Sequence, residues 1–301
     1  MQHQQRDITA RGAIFALIAT AIWSGNYIIA RAMPGQIPPV TLACLRWGVA
    51  FLFLLPFCLK PLAKEWADLK SHWRYYILTA LTGIIIFNTF IYIAGKNTAA
   101  LNMALIAATS PIFTILLARI FLKEPMGTSK LIGIIAALTG VLLLAVQGDL
   151  SRLLELQFHV GDLLILIGAI SFAGYNIQII YKPPGASPKV FMLVMFGLGF
   201  VILAPFSGLE LAFGKSPLHL TITSIGSTLY LALGTSIASY WLWNKAIASM
   251  GPGNCSLFYY TLPFFSGIEA VVLLGEKINW VHAASGGLIL AGIAVATKKW
   301  K

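Results

Sequence analysis

Asparagine and tyrosine side chains recur inside apolar stretches of the chain, where a polar group is costly unless it faces a cavity or a hydrogen-bonding partner. Asn88 and Tyr92 are four residues apart, as are Tyr240 and Asn244, so each pair shares one face of a helix. Amide and phenol groups donate and accept hydrogen bonds without fixed charge, and phenol rings add apolar contact area. A cavity with this lining suits a small zwitterionic or polar aromatic solute.

The same residue types stand at matching positions in the two halves of the chain. An offset of 149 residues brings the Asn-Tyr pair at 26–27 onto the Tyr-Asn pair at 175–176, and an offset of 152 relates the two helical pairs above. Tryptophan and tyrosine rings near 240–260 would add a wall of ring contacts, although such residues also mark membrane interfaces. The alternative is hydrogen bonding that holds the helices together. The candidate substrate-binding residues are Asn26, Asn88, Tyr92, Tyr175, Asn176, Tyr240, Trp241, Trp243, Asn244, Tyr259 and Tyr260.

Charged residues within or beside the apolar runs are few. Glu269 lies inside such a run and is a candidate for proton coupling, the alternatives being a neutralising partner or a polar crevice. For Arg46, about two turns into a run, we expect a structural role through snorkelling or bonding to backbone carbonyls. Glu124 and Glu276 end two runs at matching places, and we expect them to bond neighbouring helix ends.

The composition predicts an all-α polytopic membrane protein. Of 301 residues 58% are hydrophobic and 10% are charged, and the mean hydropathy is +0.82, which is too apolar for a soluble domain. A helix needs about 20 apolar residues to cross the hydrocarbon core. Ten such runs lie near 11–31, 39–59, 75–95, 101–121, 129–146, 160–180, 189–209, 224–247, 254–274 and 280–297.

The pattern of runs occurs twice, which predicts two repeats, 1–150 and 151–301. At an offset of 152 residues Pro111 matches Pro263, with asparagine, leucine, phenylalanine and glutamate also in register. Five spans in each repeat place the second repeat upside down relative to the first. A duplicated membrane chain of this kind predicts a carrier whose two repeats rock around a site near the bilayer midplane.

The charge distribution predicts orientation. The net charge is +11, but the basic residues sit at helix ends and not on one groove-sized face, which argues against nucleic-acid binding. Most of them fall on the side that holds the N-terminus, so both termini are expected in the cytoplasm. We expect a small-molecule solute and membrane lipid as partners, and a monomer.

Other chemical motifs are absent from the sequence. The segment 208–216 resembles a phosphate loop but has five residues between its glycines, where that motif needs four. Cys44, Cys58 and Cys255 have neither disulfide nor metal spacing, and the five histidines form no metal pair or catalytic arrangement. The sequence therefore predicts no catalytic residues, no metal and no cofactor.

Several segments resemble EamA-type members of the drug/metabolite transporter superfamily. They are Trp-Ser-Gly-Asn-Tyr at 23–27, Leu-Arg-Trp at 45–47, and two endings in which a proline precedes an apolar run and a Leu-X-Glu, at 122–124 and 274–276. The likeness extends over roughly residues 12–297, and its double occurrence is the specific feature.

The resemblance implies a ten-helix carrier of the bacterial inner membrane that exports amino acids or related metabolites. Within the family the chain is most similar to the aromatic amino-acid exporters. Two positions depart from the pattern: Lys123 stands where the family has glycine, and 172–176 only loosely repeats the motif of 23–27. The open alternatives are a carrier of drugs, sugars or nucleotide sugars, a polytopic membrane enzyme acting on lipids, and a channel.

Overall fold

The computed structural model describes residues 9–33, 35–96, 98, 100–154, 159–214, 218–274 and 280–297. These residues contain helices and turns and no strand, so the prediction of an all-α chain is confirmed for them. The long helices, in chain order, are α1 (Ala10–Ala32), α2 (Pro39–Ser71), α3 (Trp73–Ala94), α4 (100–122), α5 (Thr128–Ala145), α6 (Val160–Tyr181), α7 (Pro188–Phe213), α8 (222–250), α9 (252–274) and α10 (Trp280–Thr297).

Helix boundaries follow local residue chemistry. Proline stands in the first turn of α2, α7 and α9, where its missing N–H costs nothing. Thr9 caps α1 by accepting a hydrogen bond from the Gly12 N–H at 3.0 Å. Gly251 separates α8 from α9 with φ +79°, a conformation that glycine adopts without strain.

Among the described residues, eight helices are long and apolar enough to cross a membrane, namely α1, α2, α3, α5, α6, α7, α10 and the 105–122 part of α4. Their outer faces are apolar: Phe57, Ile120 and Val201 each expose more than half of their surface. Buried positions include polar side chains such as Arg46 and Asn88. This distribution is the one expected when lipid surrounds the bundle.

Hydroxyl, amide and aromatic residues are frequent in α8 and α9, and several of them belong to the polar clusters described below. The count of ten membrane spans and their inverted arrangement stay predictions. The helix α2 differs from the predicted run at 39–59, because it continues to Ser71 through Pro56 and Pro61.

Four helices are interrupted, in two matching pairs. The helix α3 holds a π-helical segment at Leu81–Ile86 and α8 holds one at Tyr230–Ala238. The helix α4 breaks at 108–109, just before Pro111, and α9 passes through a 3-10 turn at Phe258–Tyr260. Each pair matches at the 152-residue offset, so the irregularities recur with the sequence pattern.

The helices α2 and α7 pack antiparallel along their lengths. Near the end of α7, the Glu210 carboxylate accepts the Thr41 N–H at the start of α2, at 2.7 Å. Near the end of α2, the Glu65 carboxylate accepts the Ser187 N–H at the start of α7, at 2.9 Å. Each helix thus supplies a carboxylate to unpaired N–H groups of the other, a favourable placement for negative charge.

The helices α5 and α10 approach each other most closely at two glycines. A Cβ atom at Gly133 would lie 2.3 Å from the Gly292 carbonyl oxygen, and one at Gly292 would lie 2.6 Å from the Gly133 carbonyl oxygen. Small residues allow such contact between membrane helices.

Two further groups of helices mix the halves of the chain. The helix α1 packs against α8 and α9, and α6 packs against α3 and α4. Side-chain hydrogen bonds link the first group, for example Thr20 Oγ1 to Thr261 Oγ1 at 2.9 Å. In the second group the Ser171 hydroxyl donates to the Thr82 carbonyl at 2.8 Å.

Candidate functional site

Arg46 lies at the centre of the bundle with 0% of its surface exposed. The helix α2 begins at Pro39, so Arg46 is about two turns inside it, on the part that packs against α7. Its guanidinium carbon is 4.3 Å from the ring centroid of Trp47, within the range of a cation–π interaction.

Neutral oxygen atoms from three helices surround the guanidinium. Its Nη1 donates to Asn88 Oδ1 at 2.7 Å, Tyr92 Oη at 2.8 Å and Asn26 Oδ1 at 3.2 Å. Its Nε donates to Ser236 Oγ at 2.6 Å, and its Nη2 donates to the Thr235 carbonyl at 3.1 Å. One side chain of α2 therefore joins α1, α3 and α8.

The π-helical segments provide acceptors for this network. A π-helical turn changes the backbone bonding pattern from i→i−4 to i→i−5, which makes carbonyl groups available to other donors. In α8 the Thr235 carbonyl accepts from Trp23 Nε1 at 2.8 Å as well as from Arg46. In α3 the Gly83 carbonyl accepts from Tyr240 Oη at 2.5 Å.

The positive charge of Arg46 has no acidic partner in the described part of the chain. The ion pairs there include His72 with Asp68 and Lys130 with Glu124, and neither of these involves Arg46. Transfer of a cation from water to a protein interior costs several kcal/mol, which hydrogen bonds to the charge offset by roughly 1.5–3 kcal/mol each. The centre of the bundle is therefore a positively charged, hydrogen-bonded site.

A second polar cluster lies in the other half of the bundle. Tyr175 Oη donates to Asn244 Oδ1 at 2.8 Å, which joins α6 to α8. Trp243 Nε1 donates to Asn176 Oδ1 at 2.9 Å, and Asn176 Nδ2 donates to Thr114 Oγ1 at 3.2 Å, which adds α4. This cluster contains amide, phenol, indole and hydroxyl groups and carries no formal charge.

Aromatic rings connect the two clusters. The Trp23 ring centroid lies 5.4 Å from that of Tyr240 and 5.1 Å from that of Trp243, so one indole of α1 touches a ring from each cluster. The rings of α1, α6, α8 and α9 form an aromatic cluster made of Trp23, Phe172, Tyr175, Tyr240, Trp243 and Tyr259.

The structure brings most of the candidate residues together. Asn26, Asn88, Tyr92 and Tyr240 belong to the Arg46 network. Tyr175, Asn176, Trp243 and Asn244 form the second cluster. Tyr259 Oη lies 2.9 Å from Tyr27 Oη, beside the same rings. A role of these residues in substrate binding stays a prediction.

Two candidates lie differently from the rest. Tyr260 is fully buried, but its hydroxyl has no hydrogen-bond partner among the described residues. Trp241 exposes 39% of its surface, and Lys245 Nζ lies 3.5 Å from its ring centroid. Tyr240, Trp243 and Asn244 lie on one side of α8 and Trp241 on another, so Trp241 is apart from both clusters.

Glu269 contacts α1 through Ser24, whose Oγ lies 2.7 Å from Glu269 Oε1. The other carboxyl oxygen, Oε2, is buried without a partner among the described residues. The same Ser24 hydroxyl lies 2.5 Å from the Ala21 carbonyl oxygen. Glu269 is thus a partly buried carboxyl group between α1 and α9, and its proton-coupling role stays a prediction.

Glu124 lies in the turn between α4 and α5 and accepts the Gly253 N–H at the start of α9. Lys130 Nζ is 3.8 Å from its Oε2. Burial raises the pKa of Glu124 above its ordinary value, although Lys130 and the Gly253 N–H act in the opposite direction. The expected bonding to a neighbouring helix end is observed for Glu124, while Glu276 lies outside the described residues.

Sequence reasoning underestimated Arg46. A single arginine two turns into an apolar run was the available signal, but the expected backbone partners account for only one of its five contacts. Trp23, Thr235 and Ser236 were not singled out as site residues. Indole and hydroxyl groups in apolar runs are common, so their presence there does not favour these three residues over others.

Comparisons with known proteins agree with a membrane transporter. The model of the EamA-like transporter family matches residues 10–146 and 159–298. The uncharacterized transporter YyaM of Bacillus subtilis is 26% identical over 285 residues, which is 93% of this chain and 92% of that protein. The uncharacterized inner membrane transporter YedA of Escherichia coli is 28% identical over 298 residues, 95% of this chain and 90% of that protein.

A solved crystal structure, described only as that of a protein, shares the fold. It is 18% identical and superposes with a TM-score of 0.76, covering 96% of this chain and 97% of that chain. Buried polar clusters inside a lipid-facing bundle, together with two matches to one family model, lead to a single assignment. This chain belongs to the EamA-like transporter family.

Proposed function

We propose that the protein is a secondary carrier that exports amino acids, with aromatic or large neutral side chains favoured, by alternating access. The observation that carries the proposal is the convergence of amide, phenol and ring side chains from both halves at one buried centre. Hydrogen-bonding groups would hold the polar end of an amino acid, and the aromatic cluster would contact its side chain.

Reciprocal contacts support two inverted repeats with a boundary near residue 150. At the 149-residue offset Gly48 matches Gly197 and Phe51 matches Phe200. A Cβ atom at Gly48 would lie 2.8 Å from the Phe200 ring, and one at Gly197 would lie 3.0 Å from the Phe51 ring. Such exchange of partners between antiparallel α2 and α7 is what a two-fold relation between repeats produces.

The proposed two-fold axis would pass through the site. Trp47 and its counterpart Phe196 stack on each other with centroids 5.2 Å apart. Asn88 Nδ2 donates to the hydroxyl of its counterpart Tyr240 at 3.0 Å. Counterparts touch only near such an axis, which supports a substrate site between the repeats and ten spans in all.

The surroundings of Glu269 support proton coupling. The Ser24 hydroxyl has one hydrogen but two close acceptors, the Ala21 carbonyl at 2.5 Å and Glu269 Oε1 at 2.7 Å. A proton on Glu269 would allow both hydrogen bonds at once. A carboxyl group that binds and releases a proton between α1 and α9 would link export to a proton gradient.

Location and orientation complete the proposal. The excess of basic residues on one side supports cytoplasmic termini, and the printed name of YedA refers to the inner membrane. We therefore propose a multi-pass protein of a bacterial inner membrane that works as a monomer.

A flux assay tests the substrate class. Liposomes that contain the purified protein and a counter-substrate inside should accumulate labelled phenylalanine, tyrosine, tryptophan or leucine. The rate of uptake should saturate with substrate concentration, which the rate through a channel would not. Tyr92→Phe and Tyr240→Phe each remove one hydroxyl of the Arg46 network and should lower the rate by at least about 10-fold. Tyr181→Phe at the exposed end of α6 is the control. Rates unchanged in both network variants would remove the site assignment.

A second assay tests the coupling. Flux in wild-type liposomes should rise with an imposed pH gradient, whereas Glu269→Gln should retain downhill flux and lose the response to the gradient. Glu210→Gln, at the far end of α7, should keep that response. Gradient dependence that survives in Glu269→Gln would exclude this carboxyl group as the proton site.

A further inference from the structure

We propose that Arg46 binds the anionic group of the transported solute, so that the carrier takes carboxylates in preference to amines or neutral analogues. The inference rests on the proposed transport function and names the chemistry of its central site. It assigns to Arg46 a role in selecting the solute, which the amide and phenol residues alone would not provide.

The charge of Arg46 is unbalanced among the described residues. Arg46 is a permanent cation with 0% exposure, and in the described part of the chain no carboxylate lies within ion-pairing distance of it. Its five hydrogen bonds go to uncharged oxygen atoms. A solute that brings a negative charge would supply the one type of partner that this network lacks.

The matching helix contact in the second half forms without a charge at the position that corresponds to Arg46. At the 149-residue offset the counterpart of Arg46 is Met195, which is 1% exposed in the matching part of α7. The neighbours Trp47 and Phe196 are both aromatic and stack on each other. The second half therefore builds the same helix contact around an apolar side chain, and the cation is an addition of the first half.

The guanidinium of Arg46 has bonding capacity that its present partners do not use. Its Nη1 has two N–H groups and three oxygen atoms within hydrogen-bond distance, whereas its Nη2 has two N–H groups and one acceptor, the Thr235 carbonyl. A planar guanidinium matches the two oxygen atoms of a carboxylate. A carboxylate can thus bind with one oxygen atom at Nη2 and the other at Nη1, where it displaces one of the three present acceptors.

The displaced acceptors have other partners ready. Tyr92 Oη already donates to Asn26 Oδ1 at 2.7 Å, so both of these groups keep a hydrogen bond when either of them leaves Nη1. An incoming carboxylate therefore exchanges one hydrogen-bonding arrangement for another and leaves these buried groups bonded. The aromatic cluster beside the network offers apolar contact for the rest of the solute.

The test uses three labelled probes with the same ring and different charges: L-phenylalanine, 3-phenylpropionate and 2-phenylethylamine. In wild-type liposomes the first two should be carried or should compete with each other, and the amine should be at least about 10-fold weaker. Arg46→Lys keeps the charge and should keep the preference at a lower rate. Arg46→Met copies the residue of the second half and should lose it.

Variant folding is checked by gel filtration and thermal unfolding in detergent. If Arg46→Met does not fold, binding of the three probes to wild-type protein, followed by tryptophan fluorescence, decides alone, since Trp23 and Trp47 border the network. An amine that binds as well as the carboxylates, or an Arg46→Met protein that keeps the preference, would overturn the inference.

The outcomes separate the inference from the proposed function. Transport of short organic acids without transport of any amino acid would contradict the proposed substrate and support the role of Arg46. Transport of phenylalanine and phenylalanine amide at equal rates would support an amino-acid-type carrier and overturn the role of Arg46. Failure of every carboxylate probe to bind or be carried would contradict both.

Discussion

The two halves of the molecule place different chemistry at matching positions of one helical frame. In the first half Arg46 collects five hydrogen bonds at the centre of the bundle, while its counterpart Met195 is buried among apolar neighbours. The contact of Ser24 with Glu269 is polar, while the counterparts of these residues are Ala173 and Leu117. The frame is therefore shared, and each of the two ionisable groups, Arg46 of the first half and Glu269 of the second, has an apolar counterpart in the other half.

The comparison is tested most strongly by removing one amide from each cluster. Asn88→Leu removes the nearest acceptor of Arg46 Nη1 and the donor to the Tyr240 hydroxyl, so one charge-assisted and one neutral hydrogen bond are lost, and the free energy of unfolding should fall by about 3 kcal/mol. Asn176→Leu removes only neutral hydrogen bonds and should cost about 1–2 kcal/mol. Thermal unfolding of both variants in detergent measures the difference. Equal losses of stability would show that hydrogen bonds to the charged Arg46 contribute no more than the neutral ones.

The shared frame is tested at α5 and α10. Gly133→Ala places a methyl group against the Gly292 carbonyl, at 2.3 Å in the unrelaxed geometry, and should destabilise by about 1–3 kcal/mol. Gly292→Ala should cost the same amount, because the contact is mutual. Gly226→Ala, which meets open space in α8, is the control and should be neutral or stabilising. Clearly different losses of stability in Gly133→Ala and Gly292→Ala would show that the two halves contribute unequally to this helix contact.

A smaller effect is expected at the two ends of the α2–α7 pair. Glu210→Gln and Glu65→Gln each replace a carboxylate that accepts N–H groups at a helix start, and each should cost about 1 kcal/mol. Denaturation curves of the single variants and of the double variant provide the measurement. Equal and additive losses of stability would mean that the two ends of the α2–α7 pair contribute alike. A loss in only one of the single variants would show that the two ends differ.

The smallest effect is a pH slope from Glu124. Because burial raises its folded pKa, Glu124 holds its proton more tightly when folded, and its contribution to stability declines as pH rises from 4.5 through the raised value. The melting temperature of wild type relative to Glu124→Gln should therefore fall across that window. If the halves are alike at their ends, Glu276→Gln should give the same slope, and a flat difference for Glu124→Gln would contradict the assigned pKa direction.

The sequence could predict the helices and the candidate set because both depend on local pattern. Apolar length locates a span, and a repeat at a fixed offset identifies Asn88 with Tyr240 without any coordinates. The long α2 is an exception, since two internal prolines, Pro56 and Pro61, argue locally for an end that tertiary packing overrides.

The partners of Arg46 could not be predicted in the same way. Its acceptors lie between 20 and 190 residues away along the chain, on three other helices, and two of them depend on a π-helical segment in α8. Such segments have no marked sequence signal. The position of Trp241, apart from both clusters, could be predicted, because helical periodicity turns it away from Tyr240 and Asn244.

The grouping of α1 with α8 and α9, and of α6 with α3 and α4, has a mechanical consequence. The stretch of sequence that recurs differs from the groups of helices that pack together, because each group draws helices from both halves of the chain. Arg46 forms hydrogen bonds with both groups. Asn26 of α1 and Ser236 of α8 belong to one group, and Asn88 of α3 belongs to the other. Any movement of one group of helices relative to the other must therefore rearrange the hydrogen bonds of the Arg46 guanidinium.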